Sequence, residues 1–256
     1  MMKKIFYILL LLLLAEITYS QKLPNPEDFE VWEPEPKVVV TGSINTPPSD
    51  AIIIFDGTNF DYWQHSVTKD PVKWILNKDK SMTVKLGTGS IETKFEHGSI
   101  QLHIEWKTPQ VVKGSGQSRG NSGIYFQRRY EVQVLDSYQN RTYSNGQAGS
   151  IYKQSIPLVN ASRPPGEWQV YDIVFNEPKY NEEGEQIKAG TFTIFHNGVL
   201  IQNNTKIQGT TSYFGMIETK RDKLTDGMQG GTNRSLMLQD HGDGEVSYRN
   251  IWIRKL

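Results

Sequence analysis

The chain has 256 residues, with 28 Lys and Arg against 28 Asp and Glu, and no cysteine. A disulfide framework is excluded, and no cationic excess or Lys/Arg run is present to neutralise phosphates, so nothing recruits nucleic acid. Gly, Asn, Gln, Trp and Tyr are plentiful, a composition suited to neutral polar ligands with ring faces to stack on, sugars among them.

Met1-Met2-Lys3-Lys4 precede an apolar run from Ile5 to Ala15, and the small polar residues Thr18 and Ser20 follow. A basic start, an apolar stretch too short to span a bilayer comfortably and small residues after it form the pattern of a secretory signal peptide over residues 1–20, cleaved after Ser20. No cysteine follows to carry a lipid. The mature chain is therefore expected to be periplasmic or secreted, with no stable membrane span. Residues 21–50 hold Pro24, Pro26, Pro34, Pro36, Pro47 and Pro48 among acidic residues, which predicts an extended linker. A single domain is expected over residues 51–256.

Short runs punctuated by turn residues begin with Ile52-Ile53-Ile54-Phe55 before Asp56-Gly57, and continue with Met82 to Leu86 before Gly87-Thr88-Gly89. From Ser99 to Trp106, Ile100, Leu102, Ile104 and Trp106 share one face while Gln101, His103 and Glu105 share the other, a half-buried strand. Period-two stretches recur at 123–128, 130–135, 168–175, 190–196, 199–202 and 246–253. His196-Asn197-Gly198-Val199 predicts a two-residue hairpin turn, because Asn-Gly accepts the positive φ angles it needs. Many short strands without alternating helices predict an all-β fold, a two-sheet antiparallel β-sandwich or jelly roll.

In Tyr130-Glu131-Val132-Gln133-Val134-Leu135-Asp136, Glu131 and Gln133 share a strand face opposite Val132 and Val134. A β-bulge at Leu135 would return Asp136 to the Glu131 face and set two carboxyl groups along a concave sheet, as glycoside chemistry uses. The same residues also fit an ordinary strand with one solvated face. Asn121 and Tyr125 can line a sugar site, and Lys153, after a small-residue loop, can anchor a carbonyl oxygen or sit in an ion pair. His241, in a loop beside Asp240, is the best acid/base candidate of five histidines. No metal-ligand spacing, Gly-x-Ser-x-Gly elbow or phosphate loop occurs, so neither metal nor cofactor is expected.

Taken together in order, Phe55-Asp56-Gly57, Trp63, Trp74, Ile91-Glu92-Thr93-Lys94, His103-Ile104-Glu105-Trp106, Gly120 to Tyr125, Tyr130 to Ser137, Gly149 to Lys153, Pro164 to Trp168, His196 to Val199, Leu238 to Gly242 and Arg249 to Trp252 resemble the 3-keto-disaccharide hydrolase domain family. The resemblance implies a concanavalin A-like lectin/glucanase jelly roll. It also implies a glycoside substrate already oxidised at C3 by a partner sugar 3-dehydrogenase. Such a ketone acidifies the C2 proton, so a base can remove it and the glycosidic oxygen can leave by β-elimination, water then adding to the enone. On that basis Glu131 or Asp136 is expected as base, His241 as the acid at the leaving oxygen, and Lys153 or Arg249 at the enolate oxygen. Glu105, Asn121, Tyr125, Gln133, Asp240 and Arg249 are expected to bind substrate. Two other readings stay open: a retaining endoglucanase, disfavoured by Gln133 and the irregular spacing to Asp136, and a non-catalytic glycan-binding module.

Overall fold

The computed structural model describes residues 24–43, 46–215, 219 and 234–256; the leader expected at 1–20 lies outside them. The chain forms two compact units, residues 1–39 and 40–256. In the first, the described residues are almost all exposed and the only regular element among them is a 3-10 turn at Pro26–Phe29, as a proline-spaced segment without a core dictates. No helix among the described residues is long and apolar enough to cross a membrane.

The second unit is an antiparallel two-sheet β-sandwich of the jelly-roll kind. Its strands in chain order are β1 (Ile52–Phe55), β2 (Trp63–His65), β3 (Ile75–Leu76), β4 (Met82–Thr83), β5 (Ile91–Glu96), β6 (Ile100–Lys107), β7 (Ser122–Phe126), β8 (Tyr130–Val134), β9 (Gln169–Asn176), β10 (Lys179–Tyr180), β11 (Gln186–Lys188), β12 (Thr191–His196), β13 (Val199–Lys206), β14 (Ser235–Leu238) and β15 (Ser247–Lys255). One sheet runs β13-β12-β9-β6-β15-β4-β3, with β1 also on β15; the other runs β2-β5-β14-β7-β8; β10 and β11 form a separate ribbon.

Alternation decides which side chains meet between the sheets. Ile100, Leu102, Ile104 and Trp106 of β6, with Tyr171, Ile173 and Phe175 of β9, pack against Ile124, Phe126, Val132, Val134, Leu236 and Leu238 of the smaller sheet. Phe126 bridges the layers, its ring 5.0 Å from Phe175 and 4.9 Å from Phe192. Two core hydroxyls fix the smaller sheet in place: Tyr171 donates to the Gln133 carbonyl at 3.0 Å, and Tyr248 donates to Ser122 Oγ at 2.7 Å. Each satisfies a buried polar atom that would otherwise cost stability; the first is anchored on β8, the strand that carries Glu131, and the second on its neighbour β7.

The Asn197-Gly198 turn forms as expected, with φ of 52° and 81°. Of the run Met82–Leu86, only Met82–Thr83 pairs as a strand. Two strands without an alternating signal, β5 and β14, occupy the middle of the smaller sheet. All four residues of β14 are buried, as are the first three of β5, so both faces are covered and no polar/apolar period survives.

Candidate active site

On the smaller sheet, register brings one row of side chains together on the face away from the core. Gln64 opposes Glu92, Glu92 opposes Met237, Met237 opposes Tyr125, and Tyr125 opposes Glu131. The row continues past the edge of β8, because Ile151 bridges Val132 and the Tyr152 N–H donates to the Glu131 carbonyl at 3.1 Å. Residues directly opposed in antiparallel pairing point to the same face, so Tyr152 flanks Glu131 on the side opposite Tyr125.

Glu131 is 3 % exposed. Burial raises its pKa from 4.5 to about 8, against the lowering effect of a hydrogen bond with the Tyr125 hydroxyl. With the Gln133 amide turned, its NH2 donates to Glu131 Oε1 at 3.1 Å and to the Ser122 carbonyl at 3.0 Å. Oε2 is buried with no hydrogen-bond partner among the described residues. A buried carboxyl with one oxygen held and the other unused can exchange a proton at that free oxygen.

Lys153 reaches the same region. Its ammonium lies 4.1 Å from the centre of the Tyr143 ring, 5.7 Å from Tyr213 and 5.9 Å from Tyr152. The Tyr143 and Tyr152 hydroxyls meet at 2.6 Å. Burial pushes both phenols up, and the charge of Glu131 adds to the rise in each, which places the pair within electrostatic reach of the carboxyl. Among the described residues Lys153 is paired with no carboxylate; aromatic faces hold it instead.

A polar relay leads from Glu131 towards His241. Gln133 and Gln117 side chains meet at 3.0 Å, and the Asn121 amide donates to the Gln117 carbonyl at 2.8 Å while facing His241 Nε2 at 3.4 Å. His241 Nδ1 sits 2.7 Å from Asp243 Oδ1. Since Asn121 presents N–H, His241 Nε2 is left as acceptor and Nδ1–H donates to Asp243. His241 therefore stands at the outer end of the relay, separated from Glu131 by Gln133, Gln117 and Asn121. Its carboxylate partner is Asp243 rather than Asp240, whose oxygens instead accept from the Gly89 and Gly242 N–H groups at 3.0 and 3.1 Å and close a turn.

Three other expected residues are placed elsewhere. β8 ends at Val134 and pairs with β7 without a register shift, so no bulge at Leu135 brings Asp136 to the Glu131 face. Asp136 is bound by Arg119, with Nε at 2.9 Å and Nη2 at 2.5 Å, and is 6 % exposed. It is the ion-pair partner of Arg119 and not a neighbour of Glu131. Asp136→Ala is expected to lower stability by roughly 3 kcal/mol, by removing one partner of a buried pair, while the folded fraction turns over substrate as the parent does; thermal melts beside activity per folded molecule check this.

Glu105 and Arg249 lie on the opposite outer face, that of the eight-stranded sheet. Arg249 Nε binds Glu105 Oε2 at 2.7 Å, and Asn250 donates to Oε1 at 2.9 Å. Burial pushes Glu105 up, but the His103 ring 3.9 Å away and hydrogen bonds from Asn250 and Arg249 outweigh it and hold its pKa at about 2. The guanidinium also lies 4.0 Å from the Trp168 ring. The thickness of the sandwich separates both residues from Glu131, so neither shares its site.

Sequence reasoning missed Tyr143, Gln117, Asp243 and the opposed position of Tyr152. Asp243 carried a signal, two residues from His241; the partnership of Tyr152 and Glu131 depends on a bridge that spacing does not reveal. Among the described residues no group of three or more His, Asp or Glu is arranged to hold a metal ion.

Residues 50–254 match the family described as 3-keto-alpha-glucoside-1,2-lyase-like domain. Among solved structures, the chain is similar to a "putative glycosyl hydrolase" from Parabacteroides distasonis at 46% identity, over 91% of this chain and 97% of that one, with a TM-score of 0.82. A second protein so described from the same organism shares the fold at 22% identity, over 81% of this chain and 94% of that one, with a TM-score of 0.55. No curated protein matches. With a match spanning most of its length, the chain belongs to the family of 3-keto-alpha-glucoside-1,2-lyase-like domains.

Proposed function

We propose that this domain is a carbohydrate-active enzyme that cleaves 3-keto-glycosides by elimination, in an exported protein whose substrate is supplied by a sugar 3-dehydrogenase. The observation that carries the reading is Glu131, a buried carboxyl with a raised pKa and an unpartnered Oε2, standing alone. The described residues beside it on its face are Tyr125, Gly123, Gln133, Tyr152 and Ser150, none a carboxylate. A retaining glycosidase needs a second carboxyl about 5 Å away. The next carboxylate in the row, Glu92, is three strand spacings off, about 14 Å, and is tied up by Lys69 and Arg128. One base without a partner acid suits abstraction of a proton already acidified by a neighbouring ketone.

In this reading Glu131 Oε2 takes the C2 proton and the electron pair flows onto the C3 oxygen, where the Lys153 ammonium stabilises the enolate. Collapse of the enolate restores the ketone, forms the C1–C2 double bond and expels the glycosidic oxygen. The hydrogen-bonded phenols of Tyr143 and Tyr152 supply its proton, a role their placement beside Glu131 favours over His241. Water added across the double bond completes net hydrolysis.

The test incubates the purified protein with a 3-keto-glucoside and, separately, with the unoxidised parent, and follows released aglycone and dehydrated keto-sugar by mass spectrometry. Release from the keto form alone is expected. Release from the parent at a comparable rate would replace elimination by ordinary glycoside hydrolysis, and glycan binding without turnover of either would leave a binding module.

A further inference from the structure

Gly123 opposes Gln133 inside β7, a strand interior where glycine gives up packing and gains nothing from backbone freedom unless something approaches closely. What approaches is Glu131. A Cβ on Gly123 would overlap Glu131 Oε1, and would stand 3.0 Å from Glu131 Cδ and 2.7 Å from Tyr125 Cε2. The Glu131 side chain thus lies back across the neighbouring strand, its carboxyl resting where any other residue at 123 would place a side chain. There the Gln133 amide reaches Oε1 at 3.1 Å, the Tyr125 hydroxyl bonds the carboxyl, and both Gly123 and Glu131 are out of water.

We propose that Gly123 is a positioning residue of the active site: its missing side chain is the berth of the Glu131 carboxyl, and Gln133 and Tyr125 hold the group in it. The inference rests on the reading of Glu131 as the base. The berth does two things. It aims Oε2 by fixing Oε1, and it keeps the carboxyl buried, which is the source of its raised pKa. A methyl group at 123 pushes aside only the end of a flexible side chain and one ring edge, so the fold survives while the carboxyl is driven towards water.

The experiment measures kcat, KM and the pH dependence of kcat/KM for Gly123→Ala and Gln133→Leu on a 3-keto-glucoside, with near-ultraviolet circular dichroism to establish folding. For Gly123→Ala, kcat is expected to fall about 100-fold, as misplacing a reacting group by an ångström does, with KM little changed. Its rising pH limb is expected to move from about 8 down towards the ordinary carboxyl range. Gln133→Leu removes a donor to the ionised carboxyl, so its limb is expected to move the other way, to higher pH. A merely structural glycine would change neither limb. Unaltered kcat and pH limb in folded Gly123→Ala overturn the proposal, and should that variant not fold, an unaltered limb in Gln133→Leu does so. Full activity in Glu131→Gln would instead sink the base reading on which the proposal stands, so the two failures are told apart.

Discussion

Replacing Glu131 by glutamine is expected to abolish turnover and, above neutral pH, to make the protein more stable. The first half follows from chemistry. An amide cannot accept the C2 proton, and loss of a positioned general base costs roughly 10²–10⁴ in rate; the upper end is expected here, since no other carboxyl among the described residues flanks the site on that face. The second half follows from linkage. In the unfolded chain this carboxyl ionises near its ordinary value of 4.5, while burial holds it protonated to about 8 in the folded protein. Its contribution to stability is therefore complete below about pH 4, shrinks as pH rises from there, and is lost once pH has passed through about 8. Glutamine does not titrate and occupies the same volume. Melting curves of parent and variant should coincide near pH 4 and separate with rising pH, the variant gaining roughly 4–5 kcal/mol at pH 9.

The same shift sets the rate profile. A base works ionised, so kcat/KM of the parent should climb with pH to a midpoint near 8. Equal turnover by Glu131→Gln, or melting curves that stay together to pH 9, would remove Glu131 from the centre of the mechanism.

What could be read in advance, and what could not, divides along a physical line. Strand facing is local: alternation in β6, β8 and β15 told which residues point away from the core, and Glu131, Gln133, Glu105 and Arg249 all do. Which sheet's outer face they decorate is not local. β6 pairs with β15, and β7 with β14, partners more than a hundred residues apart, so Glu105 and Arg249 could be assigned to the Glu131 site although a whole sandwich lies between. Asp136 fails for a related reason. Its offset from Glu131 invited a bulge, but Arg119, seventeen residues upstream, captures the carboxylate and the strand has already ended. The candidate base was legible because a Glu among strand-forming residues is conspicuous; its berth was not, because an interior glycine gains meaning only when the neighbouring strand is in register.

Glu92 illustrates the same limit and supports the largest expected loss of stability. It is fully buried on β5, in the row that ends at Glu131, and binds Lys69, Arg128 Nη1 at 2.7 Å and Gln64 Nε2 at 3.1 Å. Arg128 is 6 % exposed and lies in the turn between β7 and β8, where Gln127 and Arg128 adopt φ of 52° and 58°. Non-glycine residues in that region cost about 1 kcal/mol or more each, and the carboxylate is part of what holds the turn there. Glu92→Ala takes that charge from a buried guanidinium and should lower stability by roughly 3–5 kcal/mol. Lys69→Met removes a half-exposed partner, 44% accessible at its side chain, and should cost under about 1 kcal/mol. The double variant Glu92→Leu/Arg128→Met separates stability from geometry. Replacing a buried pair by apolar groups of similar volume is often neutral, so the melting temperature should recover most of the loss. If turnover stays low while stability returns, the ion pair serves to orient the hairpin that delivers Glu131; if both return together, the pair contributes stability alone and the orientation of Glu131 rests on Gly123, Gln133 and Tyr125.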